Sequence, residues 1–279
     1  MLAPEHTAAR VALWRALHVL IDAKPPVFAD EVGEKLIGDK QWRNRPDMEP
    51  GFSKPMRASI VGRARFVEDT VLEEFNRGAT QYVILGAGLD SFAQRRPDLA
   101  SRLQIYEVDQ PDPQAWKKRR LMELGFAIPK NLHFVPVDFE SGQSWWEKLL
   151  EHGFDSKKRT VNVSTGVSMY LSQEANFQTL KQIAALGEGS VFLMTFMLSL
   201  ELLEPKERGI MEFVMKKAAE SRTPFLSLFT PEAILEMAMK AGFKKAQYYS
   251  AEELFLRYFS QRQDGLRAGN AEAFLIATT

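Results

Sequence analysis

Tyr82-Val83-Ile84-Leu85-Gly86-Ala87-Gly88-Leu89-Asp90 and Leu103-Gln104-Ile105-Tyr106-Glu107-Val108-Asp109 decide the fold of this 279-residue chain. Each begins as a short apolar run and ends on an acid, and the first breaks into two glycines before Asp90. The pattern reads as strand, glycine turn, short helix, strand, acidic end. In an open parallel sheet, ligands sit at the carboxyl ends of such strands. Two glycines let a ligand approach backbone that a Cβ would screen. An acid about twenty positions further on can accept hydrogen bonds from both ribose hydroxyls. The stretch therefore reads as a nucleoside site, against the plainer reading of an ordinary strand-to-helix turn.

The dinucleotide fingerprint requires a third glycine, so that a helix N-terminus can face a pyrophosphate. Ser91 stands in that place, with Asp90 just before it. A carboxylate repels a diphosphate and suits an ammonium or a sulfonium. The ligand expected is therefore S-adenosylmethionine rather than a nicotinamide dinucleotide.

Composition narrows the classes. The length suits one large α/β domain, or one domain with an added lid. Formal net charge is zero, so no global field draws nucleic acid or a membrane surface. Cysteine is absent, which excludes disulfides, thiolate metal sites and cysteine nucleophiles and fits a reducing cytoplasm. His6, His18, His133 and His152 are scattered without metal-ligand spacing, so no metal is expected. No apolar run approaches the ~20 residues of a membrane span, and the N-terminal segment does not read as a signal peptide.

Residues 5–23 carry Ala8, Val11, Ala12, Leu17, Val19 and Leu20 at helical spacing, ended by Pro25-Pro26. Asp30 then reads as the cap of a short helix, 31–37, and 38–55 as a polar loop, either ordering over a ligand or lying on the surface. A third helix spans 57–75, where Arg63 and Glu68 line a site or face solvent. After Asp109, Pro111 opens a helix that Gly125 stops. A third strand, 132–137, ends in Asp138-Phe139, an acid and a ring suited to an adenine, or a loop acid beside a core aromatic. A helix over 145–150, a strand over 160–164 and a helix over 173–186 capped by Ser172 follow, then a strand over 190–195. Five alternations predict a doubly wound, mostly parallel sheet. Residues 196–229, rich in Met and Phe, break the pattern and read as a helical lid insertion, or as plain helix packing. Thr230-Pro231-Glu232 starts a helix ending at Gly242. Strands over 243–249 and 272–277, with a short helix from Glu252 between them, are expected to close a seven-stranded sheet with a reversed hairpin.

Four stretches stand in a telling order: Arg63-Ala64-Arg65-Phe66; Leu85 to Asp90; Tyr106-Glu107-Val108-Asp109-Gln110-Pro111 with Lys117 and Arg119 to Leu121 behind it; and Gly166-Val167-Ser168-Met169-Tyr170-Leu171. Together they resemble the leucine carboxyl methyltransferase family, whose members include the phosphatase-tail methyltransferases of eukaryotes and many bacterial O-methyltransferases. The opening, with Thr7-Ala8, Pro25-Pro26-Val27-Phe28 and Asp30, is similar to bacterial members. The resemblance implies a class I, Rossmann-like methyltransferase. It implies that Arg63 holds the methionine carboxylate of the cofactor and that Gly86, Ala87 and Gly88 let it approach the backbone. By the same resemblance Asp109 takes the ribose, with Glu107 the nearby alternative. Asp138 and Phe139 would frame the adenine, and Tyr170 would face the acceptor. One departure stands out: members commonly carry Glu where Thr165 stands, near the cofactor's amino group. Thr keeps an acceptor oxygen without the charge, so either Asp90 compensates or binding and activity weaken.

The expected division is a helical cap (1–56), a cofactor-binding core (57–195), the lid (196–229) and the end of the sheet (230–279). Methyl transfer from a sulfonium is an in-line displacement that needs alignment and exclusion of water. A carboxylate acceptor is already ionised at neutral pH and needs no base. A hydroxyl needs one, usually His or Lys. No histidine follows Thr165, which leans toward a carboxylate, although His18 and His133 remain candidates to reach the pocket. The functions weighed are a small-molecule O-methyltransferase, a protein C-terminal carboxyl methyltransferase, an NAD(P)-dependent oxidoreductase and a cofactor-binding protein without turnover. The partner expected is a small-molecule acceptor, with a homodimer left open.

Overall fold

The computed structural model describes residues 6–138 and 141–279. The apolar runs form β1 (Gln81–Leu85), β2 (Gln104–Asp109), β3 (Leu132–Pro136), β4 (Thr160–Ser164), β5 (Val191–Met197), β6 (Lys245–Tyr249) and β7 (Glu272–Thr278). The helices are α1 (His6–Ile21), α2 (Val32–Ile37), α3 (Lys54–Asn76), α4 (Phe92–Arg95), α5 (Pro97–Ala100), α6 (Pro111–Glu123), α7 (Trp145–Glu151), α8 (Gln173–Ala184), α9 (Pro205–Glu220), α10 (Pro231–Ala241) and α11 (Ala251–Tyr258). The seven strands make one sheet in the order β3-β2-β1-β4-β5-β7-β6. β1 to β5 are parallel, and β7 runs antiparallel to both β5 and β6. This is the doubly wound, mostly parallel architecture with a reversed final hairpin.

Helices cover both faces, so the central strands β1 and β4 are buried on both sides. Val83, Leu85, Tyr106 and Val108 face α7, α8 and α10 through Leu149, Leu180, Ile183 and Ile234. Tyr82, Ile84 and Ile105 face the opposite layer, where α3 brings Phe66 and Val71 and α11 brings Leu254. Several boundaries follow from local chemistry. The hydroxyls of Ser172 and Thr230 accept the Ala175 and Ala233 N–H groups at the starts of α8 and α10. Gly242 ends α10 with φ +111°, a conformation that side chains resist. α3 begins before Arg57 because Pro55 fits a first turn, where no N–H is needed.

The N-terminal layer is more ordered than its polar sequence suggests. Residues 38–55 were expected as a loop; they form two 3₁₀ turns, Trp42–Asn44 and Pro46–Met48. Trp42 and Met48 are buried against Leu13, Leu17 and Ile60, and Trp42 Nε1 donates to Glu34 Oε1 at 2.9 Å. The segment is thus core of the cap. Asp30 stands one residue ahead of the cap position of α2 and takes the Val32 N–H at 2.9 Å.

His18 and Asp22 fasten this layer. His18 Nε2 accepts the Val27 N–H at 2.9 Å, so its Nδ1 donates to Asp22 Oδ2, also at 2.9 Å. Asp22 Oδ1 takes Nη2 of Arg57 at 2.9 Å. Burial alone would raise the Asp22 carboxyl, but His18 and Arg57 outweigh it and hold it at about 2. A carboxyl depressed on folding stabilises the native state above its unfolded value near 3.9 and loses that contribution as pH falls. The loss is therefore expected between about pH 4 and 2. Melting temperatures across that window should fall more steeply for the wild type than for Asp22→Asn; parallel curves would remove the lock.

Candidate active site

The sheet reverses its order between β1 and β4, where ligands bind in folds of this kind. Gly86 and Gly88 turn the chain there with φ +72° and +50°. The Gly86 and Ala87 N–H groups reach the Val108 carbonyl of β2 at 2.9 and 3.2 Å. The Gly88 N–H donates to Asp109 Oδ2, and Asp109 Oδ1 takes the Gln110 N–H at 2.7 Å. Asp109 is therefore tied to the glycine turn of the adjacent strand. A Cβ on Gly86 would lie 2.5 Å from Val167 Cγ2 in a backbone region that disfavours it. Gly86→Ala is expected to cost at least about 2 kcal/mol, from left-handed strain and overpacking together. Thermal melting checks this, and an unshifted midpoint would count against the turn as drawn.

A cavity of about 60 Å³ is lined by Tyr82, Ile84, Val163 and Thr165 of β1, β4 and the β4 exit, by Arg63 and Glu68 of α3, and by Asp90 and Arg95; Gly86, Ala87, Gly88 and Asp109 are not part of its lining. Arg63 Nη1 donates to Glu272 Oε1 at 2.8 Å. Gly166, at φ +71°, leaves room beside that guanidinium: a Cβ would stand 3.4 Å from Arg63 Nη1. Asp90 Oδ1 accepts the Phe92 N–H at 2.9 Å. Arg63, Asp90 and Thr165, expected together, do line one cavity.

The N-terminal layer reaches this place through Arg15 and Asp30, a pairing that the pattern of the chain did not single out. Arg15 Nη2 donates to the Leu89 carbonyl at 2.7 Å, one residue before Asp90. Arg15 Nε lies 2.8 Å from Asp30 Oδ2, which also accepts the Ser91 hydroxyl at 2.7 Å. Arg95 donates to Ser91 Oγ and pairs with Glu68 at 2.8 Å. Asp30 is buried; burial would raise its carboxyl, but Arg15, Arg95, Ser91 and the Val32 N–H hold it below the usual range. One signal was present: Arg15 falls on the apolar stripe of α1, four after Val11 and three after Ala12.

The remaining candidates separate. Glu107 is buried beside Lys117 at 2.6 Å, and its Oε1 has no hydrogen-bond partner among the described residues. Burial pushes its carboxyl up to about 7 against the pull of Lys117, with Asp90 and Asp109 adding to the push. Of the two acids ending β2, Asp109 is the one that meets the turn. Asp138 follows β3 and holds the Ser141 N–H at 3.1 Å; Phe139 lies outside the described residues. Tyr170 ends a 3₁₀ turn after β4 and meets Phe225 edge-on at 5.5 Å. Neither His18 nor His133 lines the cavity: His18 is locked as above, and His133 stacks on Tyr106 at 4.7 Å and bonds Gln104.

The residues fit the cofactor expected from the sequence. Acids beside the turn oppose a phosphate and accommodate a cation, Asp109 presents a carboxylate, and Arg63 presents a guanidinium beside open space. A doubly wound sheet with a reversed last strand and such a site defines a class I S-adenosylmethionine-dependent methyltransferase. The chain belongs to the leucine carboxyl methyltransferase family, whose model matches residues 8–184. It is 32% identical over 246 residues to "Putative S-adenosyl-L-methionine-dependent methyltransferase YktD" of Bacillus subtilis, covering 86% of this chain and 78% of that one. It is 33% identical over 196 residues to a Mycobacterium ulcerans protein carrying the same methyltransferase description, covering 65% of this chain and 61% of that one. In fold, the chain is similar to a DUF574 family protein of Streptomyces avermitilis, with TM-score 0.59 and 14% identity over 99% of this chain and 98% of that one. Among the described residues no helix is long and apolar enough to cross a membrane.

Proposed function

We propose that this methyltransferase acts on the oxygen of a small molecule, a carboxylate in preference to a hydroxyl. The observation that carries the reading is the cavity against β1 and β4, at the strand-order reversal, where Arg63, Asp90 and Thr165 meet, Asp90 following by two residues a glycine turn tied to Asp109. Bound S-adenosylmethionine supplies a methyl group on a sulfonium. On this reading Arg63 grips its carboxylate, and Asp90 and Thr165 lie at its amino end. Gly86, Ala87 and Gly88 admit it to the backbone, Asp109 takes the ribose, and Asp138 and Phe139 frame the adenine.

The acceptor side is read from the segment after α9. The Leu226 N–H donates to the Met169 carbonyl at 2.7 Å, and Ser227 Oγ donates to the Leu171 carbonyl at 2.6 Å. Leu226 and Ser227 thereby lie beside the exit of β4, where Tyr170 would face the acceptor as the catalytic contact. On this reading the segment 196–229 roofs the acceptor, which suits a small molecule better than a protein tail and would exclude water from the displacement. His18 has both ring nitrogens bonded, His133 is held by Gln104 and His152 by the Lys148 carbonyl, and neither His18 nor His133 lines the cavity, which favours an acceptor that needs no base.

A labelled-methyl screen against carboxylic acids and phenols tests the proposal. Base-labile methyl esters of small acids are expected. Methylation confined to protein C-termini, or none with any oxygen acceptor, would overturn it.

A further inference from the structure

β7 runs against the parallel strands, so its first residue lies at the edge where they end. That residue is Glu272, opposite Met197 at the close of β5. Phe274, on the same face, packs edge-on against Phe66 of α3 with centroids 5.2 Å apart. Phe66 follows Arg63 by three positions and shares its side of the helix. The packing of one pair delivers the other: Glu272 Oε1 meets Arg63 Nη1 at 2.8 Å, and each side chain is 13% exposed. Both are too enclosed to be a screened surface pair and open enough to meet a ligand. A guanidinium and a carboxylate held side by side form a fixed dipole. Its complement is an α-amino acid, with ammonium and carboxylate on one carbon.

We propose that Arg63 and Glu272 act together as a clamp for the zwitterionic amino-acid end of the cofactor, Glu272 accepting from the α-ammonium and Arg63 donating to the α-carboxylate. The inference rests on the S-adenosylmethionine reading and adds a specificity-determining residue to it. A carboxylate can accept about four hydrogen bonds and a guanidinium can donate five. Glu272 accepts one among the described residues, and Arg63 donates one. The pair therefore keeps capacity for a ligand without coming apart. Of the other groups at this end, Thr165 carries no charge, and Asp90, which takes the Phe92 N–H, keeps acceptor capacity of its own and would share the ammonium with Glu272. Gly166 keeps the approach to Arg63 clear, as a Cβ there would touch Nη1.

The test is calorimetry on the full chain with three probes: S-adenosylhomocysteine, its analogue lacking the α-amino group, and 5′-methylthioadenosine, which lacks the whole amino-acid end. Glu272→Gln keeps the shape and removes the charge. It should weaken S-adenosylhomocysteine roughly ten- to a hundredfold, the worth of a hydrogen bond to a charged group. The other two probes should bind as they do to the wild type. An equal loss for all three probes would mean that Glu272 acts through the fold, and unchanged affinity for S-adenosylhomocysteine would remove it from the site; either overturns the proposal alone. A wild-type chain that binds none of the probes would overturn the cofactor placement and this inference together.

Discussion

Asp109→Ala is expected to lower affinity for S-adenosylhomocysteine by at least about a hundredfold while the fold survives. On the proposed placement the carboxylate meets two ribose hydroxyls, and hydrogen bonds to a charged group contribute roughly 1.5–3 kcal/mol each. Two of them correspond to a hundredfold or more. Both oxygens already accept backbone N–H groups, from Gly88 and Gln110, which fixes the carboxylate in place, and each oxygen keeps a further lone pair. Alanine would also strip the Gly88 N–H of its partner and loosen the turn. Asp109→Asn should fall between, since the amide keeps one acceptor and loses the charge. Calorimetry with both variants checks the order. Full affinity in Asp109→Ala would place the ribose elsewhere.

Asp30→Ala is expected to be the most damaging single change to stability outside the hydrophobic core. It removes the carboxylate between Arg15 and Arg95, both largely enclosed. Breaking a buried pair by deleting one partner typically costs about 3–5 kcal/mol, because the remaining charge stays desolvated. For a chain of this size that corresponds to a fall of roughly 10 °C in melting temperature. The sign with pH is defined: the Asp30 carboxyl lies below its usual range, so its contribution is full above the unfolded value near 3.9 and is lost on acidification. The variant should also bind cofactor less well, since Arg15 holds the Leu89 carbonyl beside the glycine turn. A melting temperature within a degree or two of the wild type would show the network to be dispensable.

The strands were readable from the chain because sheet residues buried on two faces must be apolar over their whole length. Tyr82 to Leu85 and Val191 to Met194 carry that mark without help from distant residues. Turns and caps such as Gly86, Gly242 and Thr230 were readable for a similar reason: one residue satisfies a local demand of the backbone. What stayed hidden depends on pairs far apart in the chain. Asp30 looked like a helix cap and also proved to be a counter-ion for Arg15 and Arg95. Residues 38–55 looked like a loop because most of their side chains are polar, yet two apolar anchors, Trp42 and Met48, suffice to bury it. Glu272 looked like an ordinary strand residue, and only the reversal of β7 takes it to Arg63. Periodicity reports which way a side chain faces; it is silent on which charge waits there.

The wiring of the sheet bears on how the chain comes to be folded during synthesis. β7 is the last of the seven strands to leave the ribosome, yet it lies between β5 and β6. Until it emerges, β5 offers an unpaired edge whose residues from Val191 to Phe196 are all buried in the finished protein. β6 meanwhile has no partner at all. Such an edge is a template for another chain. The nascent protein therefore passes through a stage in which five parallel strands and their helices can form while the outer edge of β5 waits, adhesive, for a segment still being made.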